Sequence, residues 1–290
     1  MANVQELKQY RNIHLIGIGG TSMSGIAQIL KHWGYNVTGS DANASDNTEK
    51  LINSKIYVTI GSDPSILNNV DLVIYSAAIH DTDPELSKAR ELGIPTIERG
   101  PFLGQLTHSF RNTISISGTH GKSTTSAMVS MCFIEAKQDP TIQIGANIPA
   151  INGNYRLGNS ENFIIESCEY ADSFLSFAPK AEIILNIDND HLDYFKNLDN
   201  IKAAFVKFVK LLPDDGILVY NADDENCSHI SKNTKAKSIT FGLKNKSANF
   251  IAKNISYDKN DKNKIINTES YQIYQRNIQD IFTKLLKTPQ

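Results

Sequence analysis

The stretch NTISISGTHGKSTTSAMV, residues 112–129, restricts the possible folds of this chain more than any other. An apolar run, TISIS, ends in a glycine turn that opens directly into helix-compatible sequence. A strand feeding a helix through such a turn is a βα unit, and repeated βα units build a parallel sheet. The turn also carries chemistry. Gly118 and Gly121 flank Thr119 and His120, and Lys122, Ser123 and Thr124 follow. The common phosphate loop reads G-x-x-x-x-G-K-[ST]. Counting back from Gly121 puts Ile116 at its first position, so this loop is shorter than the common one. Its physical parts are nonetheless present. Backbone N–H groups and the positive end of a helix face an anion. Lys122 can reach the β- and γ-phosphates, and the Ser123 hydroxyl can ligate Mg2+. Binding of a nucleoside triphosphate across Gly118, Thr119, His120, Gly121, Lys122, Ser123 and Thr124 is the expectation.

The rest of the chain supports an α/β class. NIHLIGI, NVTGSD, YVTIG, LVIYSAA and IPTIE read as strands of a first series, with TSMSGIAQILKHWGY a helix. TISIS, ENFIIESC, AEIILNI and GILVYN read as strands of a second, with KSTTSAMVSMCFIEA and NIKAAFVKFVKLL as helices. Two such series in 290 residues predict two domains: a Rossmann-like parallel-sheet domain over 1–107 and a phosphate-loop α/β domain over 108–256. The last stretch, 257–290, starts polar and ends with Tyr271, Tyr274, Ile278, Ile281, Phe282 and Leu285 on one helical face, which predicts a loop and then an amphipathic helix.

The first series has its own glycine turn, LIGIGGTSMSGIA. Gly17, Gly19 and Gly20 lie between a strand and a helix, and Asp41 ends the next strand. This arrangement lets a backbone approach phosphates and a carboxylate hold a ribose. The third glycine of the dinucleotide fingerprint is replaced by Ser22, so a nicotinamide dinucleotide and a plain tight turn both stay open.

In the second series, Glu166 ends one strand, and Asp190 and His191 follow another. Ligands of parallel sheets gather at the carboxyl ends of strands. If those strands neighbour the loop strand, Glu166 and His191 join Ser123 as hard donors for a divalent cation beside a triphosphate. Either feature alone also reads as a solvated strand end or a helix cap.

Bulk properties narrow the partners. A net charge of −2 gives no global field for nucleic acid or a membrane surface. No apolar run is long enough to span a bilayer, and the N-terminus lacks the pattern of a secretory signal, so no membrane insertion and a cytoplasmic location are expected. The cysteines, Cys132, Cys168 and Cys227, are odd in number and scattered, as in a reducing compartment.

GTHGKSTT, ESCEYADSFLSFAP and LNIDNDHLDYF, with HLIGIGGTSMSGIA upstream, resemble the Mur ligases of peptidoglycan synthesis over roughly residues 12–255. His120, CEY after Glu166, and NIPAINGNYRLG are similar to the alanine-adding branch. The resemblance implies an ATP-dependent, Mg2+-using ligase that joins L-alanine to UDP-N-acetylmuramate through an acyl phosphate. It implies a UDP-sugar, rather than a nicotinamide cofactor, at Gly17, Gly19, Gly20, Thr21, Ser22, Asp41 and Ser76. It makes Lys122, Glu166 and His191 the catalytic set, with Ser123 and Glu166 on one cation and His191 on a second. Some members carry a carbamylated lysine after the histidine motif; Phe205 stands there, so that modification is not expected. Members also have a third domain, and the similarity stops near Tyr257, so the expectation is a C-terminally truncated member. A non-catalytic remnant binding nucleotide or UDP-sugar is the main alternative. A nicotinamide-dependent oxidoreductase is the other, and it leaves the Lys122 loop unexplained.

Overall fold

A computed structural model describes residues 5–252. The apolar run of the first series becomes β1 (Asn12–Ile16), with Ile13, Leu15 and Ile16 buried. It leads into α1 (Thr21–His32), which buries Met23, Ile26, Ala27 and Leu30. Each of the larger ones, Met23, Ile26 and Leu30, contributes on the order of 1.5–3 kcal/mol through removal of apolar surface from water. There follow β2 (Asn36–Asp41), α2 (Asp46–Asn53), β3 (Tyr57–Ile60), β4 (Leu72–Tyr75), α3 (Pro84–Glu91), β5 (Thr96–Glu98) and α4 (Arg99–Thr107). The sheet is parallel, with strand order β3-β2-β1-β4-β5. The order reverses direction between β1 and β4, and a crevice opens at such a point beyond the carboxyl ends of the strands. The first glycine turn leaves β1 there.

Three helices of this unit, α2, α3 and α4, escape the sequence reading, and two of them carry their signal in their caps. For α2, Ser45 and Thr48 exchange side-chain and backbone hydrogen bonds as a capping box. For α3, Asp83 accepts from the amides of Glu85 and Leu86, and Pro84 stands at the first helical position.

The second sheet is built from β6 (Asn112–Ser117), β7 (Thr141–Ile148), β8 (Gly153–Arg156), β9 (Asn162–Glu166), β10 (Ala181–Ile184), β11 (Ile217–Asn221), β12 (Lys237–Gly242) and β13 (Phe250–Ile251). Its order is β13-β12-β11-β10-β6-β9-β7-β8, with β7 and β8 antiparallel. Helices α5 (Lys122–Glu135), α6 (Leu192–Phe195), α7 (Leu198–Val209) and α8 (Glu225–Ile230) connect it. The loop strand β6 lies between β10 and β9, the two strands whose ends carry the expected donors. Phe205 is fully buried on α7.

The chain resolves into two compact units. One comprises Met1–Thr113, Thr141–Phe163 and Ser173–Ala178; the other comprises Ile114–Pro140, Ile164–Asp172 and the chain from Pro179. The tail expected to end in an amphipathic helix, 257–290, lies outside the described residues. Among the described residues no helix is long and apolar enough to cross a membrane. Cys132, Cys168 and Cys227 form no disulfide with one another.

β10 carries an unusual core residue. Glu182 is fully buried, stands in register with Ser115 and Leu218, and neither carboxylate oxygen has a hydrogen-bond partner among the described residues. Burial pushes its carboxyl well above the usual range, so the neutral acid is the form that the fold accepts. The unfolded chain ionises this group as pH rises past its ordinary value of 4.5, and the folded chain does not. Stability owed to Glu182 is therefore complete below that pH and falls as pH rises. Glu182→Leu is expected to stabilise the protein by roughly 1–3 kcal/mol at neutral pH, by removing an unpaired buried polar group. The gain should be larger at pH 8 than at pH 5 in urea denaturation followed by circular dichroism. A destabilised variant would contradict this account.

Candidate functional site

In the first unit the glycine turn is closed by its own backbone and braced by one carboxylate. The amides of Gly17 and Ile18 donate to Ser40 O at 2.8 and 2.9 Å, and Gly20 N donates to Gly17 O at 3.2 Å. Gly17 has φ +78°, and a Cβ there would meet the Ser76 Cβ at 3.2 Å. Asp41 Oδ2 accepts from Gly19 N at 2.8 Å, and Asp41 Oδ1 accepts from Asn43 N at 3.2 Å. Asp41 thus shapes the turn from within. Gly20 caps α1 without a side-chain hydrogen bond, and no acidic residue occupies the first turn. Thr21 is exposed and Ser22 half-buried on that turn, and Thr21 O accepts from Asn154 Nδ2 at 2.6 Å. The structure therefore gathers Gly17, Gly19, Gly20, Thr21, Ser22, Asp41 and Ser76 at the carboxyl ends of β1, β2 and β4. An uncapped helix N-terminus faces outward among them, which is the electrostatic requirement for holding phosphate.

In the second unit the short loop folds tightly against the chain leaving β10. Gly118 has φ +134°, and a Cβ there would lie 3.1 Å from both Asn186 N and Asn186 O, so only glycine fits. Thr119 N donates to Asn186 O at 3.0 Å, and Thr119 Oγ1 accepts from Asp188 N at 2.9 Å. The exposed His120 donates its amide to Asn186 Oδ1 at 2.8 Å, and its carbonyl accepts from Asn186 Nδ2 at 3.0 Å. Gly121 then takes φ +84° and caps α5, again with no side-chain hydrogen bond and no acidic residue in the first turn. Lys122, Ser123 and the exposed Thr124 form that first turn.

Two donor groups converge on this turn. The Ser123 hydroxyl donates to Glu166 at 3.0 and 3.1 Å. Lys122 Nζ lies 2.7 Å from Gly118 O and 3.2 Å from Glu169 Oε2, with the Glu169 side chain only 2% exposed. Glu169 in turn belongs to a cluster with Asp190 and His191, whose ligating atoms all fall within 4.8 Å of one another. Two carboxylates and an imidazole at that spacing match the donor chemistry of a hard divalent cation. Ser123, Glu166 and His191, the metal set expected from sequence, therefore divide between two groupings.

Glu169 and Asn186 were not among the residues singled out from sequence. Glu169 sits in ESCEY, three positions past Glu166, and its charge beside a phosphate loop was the available signal. Asn186 precedes the IDNDH motif, and nothing local marks it as the residue that grips His120.

Comparison with known proteins identifies the family. Residues 12–111 match the Mur ligase family, catalytic domain, and residues 116–280 match the Mur ligase middle domain. The chain is 46% identical over 279 residues to the UDP-N-acetylmuramate--L-alanine ligase of Clostridium novyi, covering 96% of this chain and 59% of that relative. The crystal structure of UDP-N-acetylmuramate-alanine ligase from Thermotoga maritima superposes with TM-score 0.72 at 30% identity, over 81% of this chain and 53% of that one. The UDP-N-acetylmuramate:L-alanyl-gamma-D-glutamyl-meso-diaminopimelate ligase from Neisseria meningitides gives TM-score 0.72 at 26% identity, over 80% of this chain and 78% of that one. The chain thus spans a little over half the length of the curated relatives it matches. With both sheets, both glycine turns and matches over most of its length, the chain belongs to the Mur ligase family.

Proposed function

We propose that this chain carries the UDP-sugar-binding and ATP-binding domains, residues 1–107 and 108–256, of a cytoplasmic ligase. The ligase joins L-alanine to UDP-N-acetylmuramate during peptidoglycan synthesis. The observation that carries the reading is the convergence on one uncapped helix turn of Lys122, the Ser123–Glu166 pair and the Glu169–Asp190–His191 cluster.

The reaction has two steps. The muramate carboxylate attacks the γ-phosphorus of ATP, forming an acyl phosphate and ADP. The L-alanine amine then attacks the acyl carbon, and inorganic phosphate leaves. Neither step needs a protein nucleophile; both need positioning and neutralised charge. The amides of α5's first turn and the Lys122 ammonium hold the β- and γ-phosphates against mutual repulsion. Ser123 and Glu166 would hold one Mg2+, and His191 with Glu169 and Asp190 a second. Bound there, Mg2+ neutralises charge on the phosphoryl oxygens as a Lewis acid. The turn at Gly17, Gly19 and Gly20 would receive the diphosphate of the UDP-sugar through its amides and the α1 dipole.

The test is inorganic phosphate release by the purified chain. The expected result is release that requires ATP, Mg2+, UDP-N-acetylmuramate and L-alanine together. ATP and UDP-sugar binding without release would favour the non-catalytic reading. Binding of NADH with none of UDP-N-acetylmuramate would overturn both.

A further inference from the structure

Two strained segments meet beside the Glu169–Asp190–His191 cluster. The first follows β9, where Ala171 and Asp172 adopt φ +53° and +55°. The second follows β10, where His191 adopts φ +50° and, one turn later, Lys196 adopts φ +71°. None of the four is glycine, so each conformation is unfavourable on its own and persists only where the surroundings enforce it.

What enforces it is a reciprocal exchange of hydrogen bonds. Tyr170 of the first segment donates its hydroxyl to Asp193 of the second at 3.4 Å. Tyr194 of the second donates to Asp172 of the first at 3.0 Å. The two rings lie 5.8 Å apart, and the Tyr170 ring lies 4.9 Å from the His191 imidazole. Phe195, buried and edge-on to Tyr194 at 4.9 Å, fixes the second segment to the core. The exchange brackets the cluster, because Glu169 directly precedes Tyr170 and His191 lies two residues before Asp193. Asp172 Oδ1 has no partner among the described residues, so the Tyr194 hydroxyl is the hydrogen bond that orients this carboxylate. Both tyrosines stay over 40% exposed, more than packing alone would leave for rings placed to fill a core.

We propose that Tyr194 and Asp172, with the converse pair Tyr170 and Asp193, are positioning residues: they hold the Glu169 and His191 segments at the separation that a divalent cation needs. The proposal rests on the cation reading of that cluster given above. Groups that orient ligating side chains typically change metal affinity 10- to 100-fold when removed.

Mn2+ is the probe, titrated into the full chain and followed by the loss of its free EPR signal, with no substrate present. Thermal unfolding of each variant runs in parallel. Tyr194→Phe keeps the ring and removes the hydroxyl. It is expected to raise the Mn2+ dissociation constant about tenfold with the unfolding midpoint nearly unchanged. Asp172→Ala should do the same, and the double variant should add less than twofold, because one bond is lost in each case. Asp172→Asn, which retains an acceptor oxygen, should restore most of the affinity. Unchanged affinity in Tyr194→Phe, or losses that multiply in the double variant, would overturn the proposal while leaving the cation site intact. No Mn2+ binding by the wild-type chain would overturn the cation reading itself, and the positioning role with it.

Discussion

Lys122→Ala is expected to weaken ATP binding about 100-fold, or ~2.7 kcal/mol, while leaving affinity for a UDP-sugar unchanged. The ammonium is the one cation of the first turn of α5, and it sits 2.7 Å from Gly118 O and 3.2 Å from Glu169. A charge-assisted hydrogen bond contributes roughly 1.5–3 kcal/mol, and a triphosphate presents several acceptors to the same ammonium. The substitution has a second effect to separate from the first. It leaves the Glu169 carboxylate, 2% exposed, without its counter-ion, and such a group destabilises the fold. Lys122→Ala combined with Glu169→Gln removes that stranded charge. The double variant should recover thermal stability and, measured without divalent cation so that the loss of the Glu169 ligand does not enter, still fail to bind ATP in calorimetry. Recovery of ATP binding in the double variant would show that the loss came from misfolding, and would remove Lys122 from the phosphate site. UDP-N-acetylmuramate affinity, measured on the same samples, reports on the first unit and serves as the internal control.

Legibility in the sequence followed the range of the interactions. The strands β1, β4, β6, β9, β10 and β11 were readable because each carries an apolar run bounded by turn residues, and β2, β3 and β5 from their place in the strand–helix alternation. The short helices α2 and α3 were not, because they are polar on average and bury few side chains. Their signals were in the caps instead: Ser45 with Thr48, and Asp83 before Pro84. The hairpin β7–β8 was missed because β8, GNYR, carries no apolar run and a short turn around Pro149 separates it from β7. The same rule governs the site. Gly118, Gly121, Lys122 and Ser123 are contiguous and announce themselves. Glu166 and His191 could be placed because both end strands, and the strand order β10-β6-β9 brings those ends to the loop. Glu169 meets Lys122 across 47 residues, and Asn186 meets His120 across 66. Such pairings depend on how far each chain runs past its strand before turning, which no local pattern encodes. The bond from Gly19 N to Asp41, a residue that sequence offers as a ligand contact, is likewise set by tertiary placement.

A single buried carboxylate should prove as costly to remove in the first unit. Glu85, 1% exposed on α3, accepts from the Ser40 hydroxyl of β2, from His14 Nε2 of β1 at 3.3 Å and from the Asp63 amide at 2.7 Å. His14 is fully buried and its other ring nitrogen meets Thr38 Oγ1 at 2.8 Å. One side chain thus ties a helix, two central strands and a loop together. It lies directly beneath the glycine turn, because the Ser40 carbonyl receives the amides of Gly17 and Ile18. Glu85→Ala strands two buried donors and a half-buried amide at once, and the expected loss of stability is about 3–5 kcal/mol. Trp33, the sole tryptophan, packs 5.8 Å from Phe110 in the same unit, so its fluorescence in urea reports this unfolding locally. The pH dependence has a definite sign. Burial pushes the Glu85 carboxyl up, but the hydrogen bonds from His14, Ser40 and the Asp63 amide outweigh it and hold the group below its ordinary value of 4.5. The folded state therefore releases this proton more readily than the unfolded state. The stabilisation is complete above pH 4.5 and is lost as pH falls through the depressed value. The gap between wild type and Glu85→Ala should accordingly stay constant from pH 8 to pH 5 and narrow in more acidic solution. A gap that persists undiminished at pH 3 would mean that Glu85 acts through packing rather than as a charged acceptor. Because the network supports the turn through Ser40, UDP-sugar affinity in Glu85→Ala should fall even at temperatures where the unit remains folded.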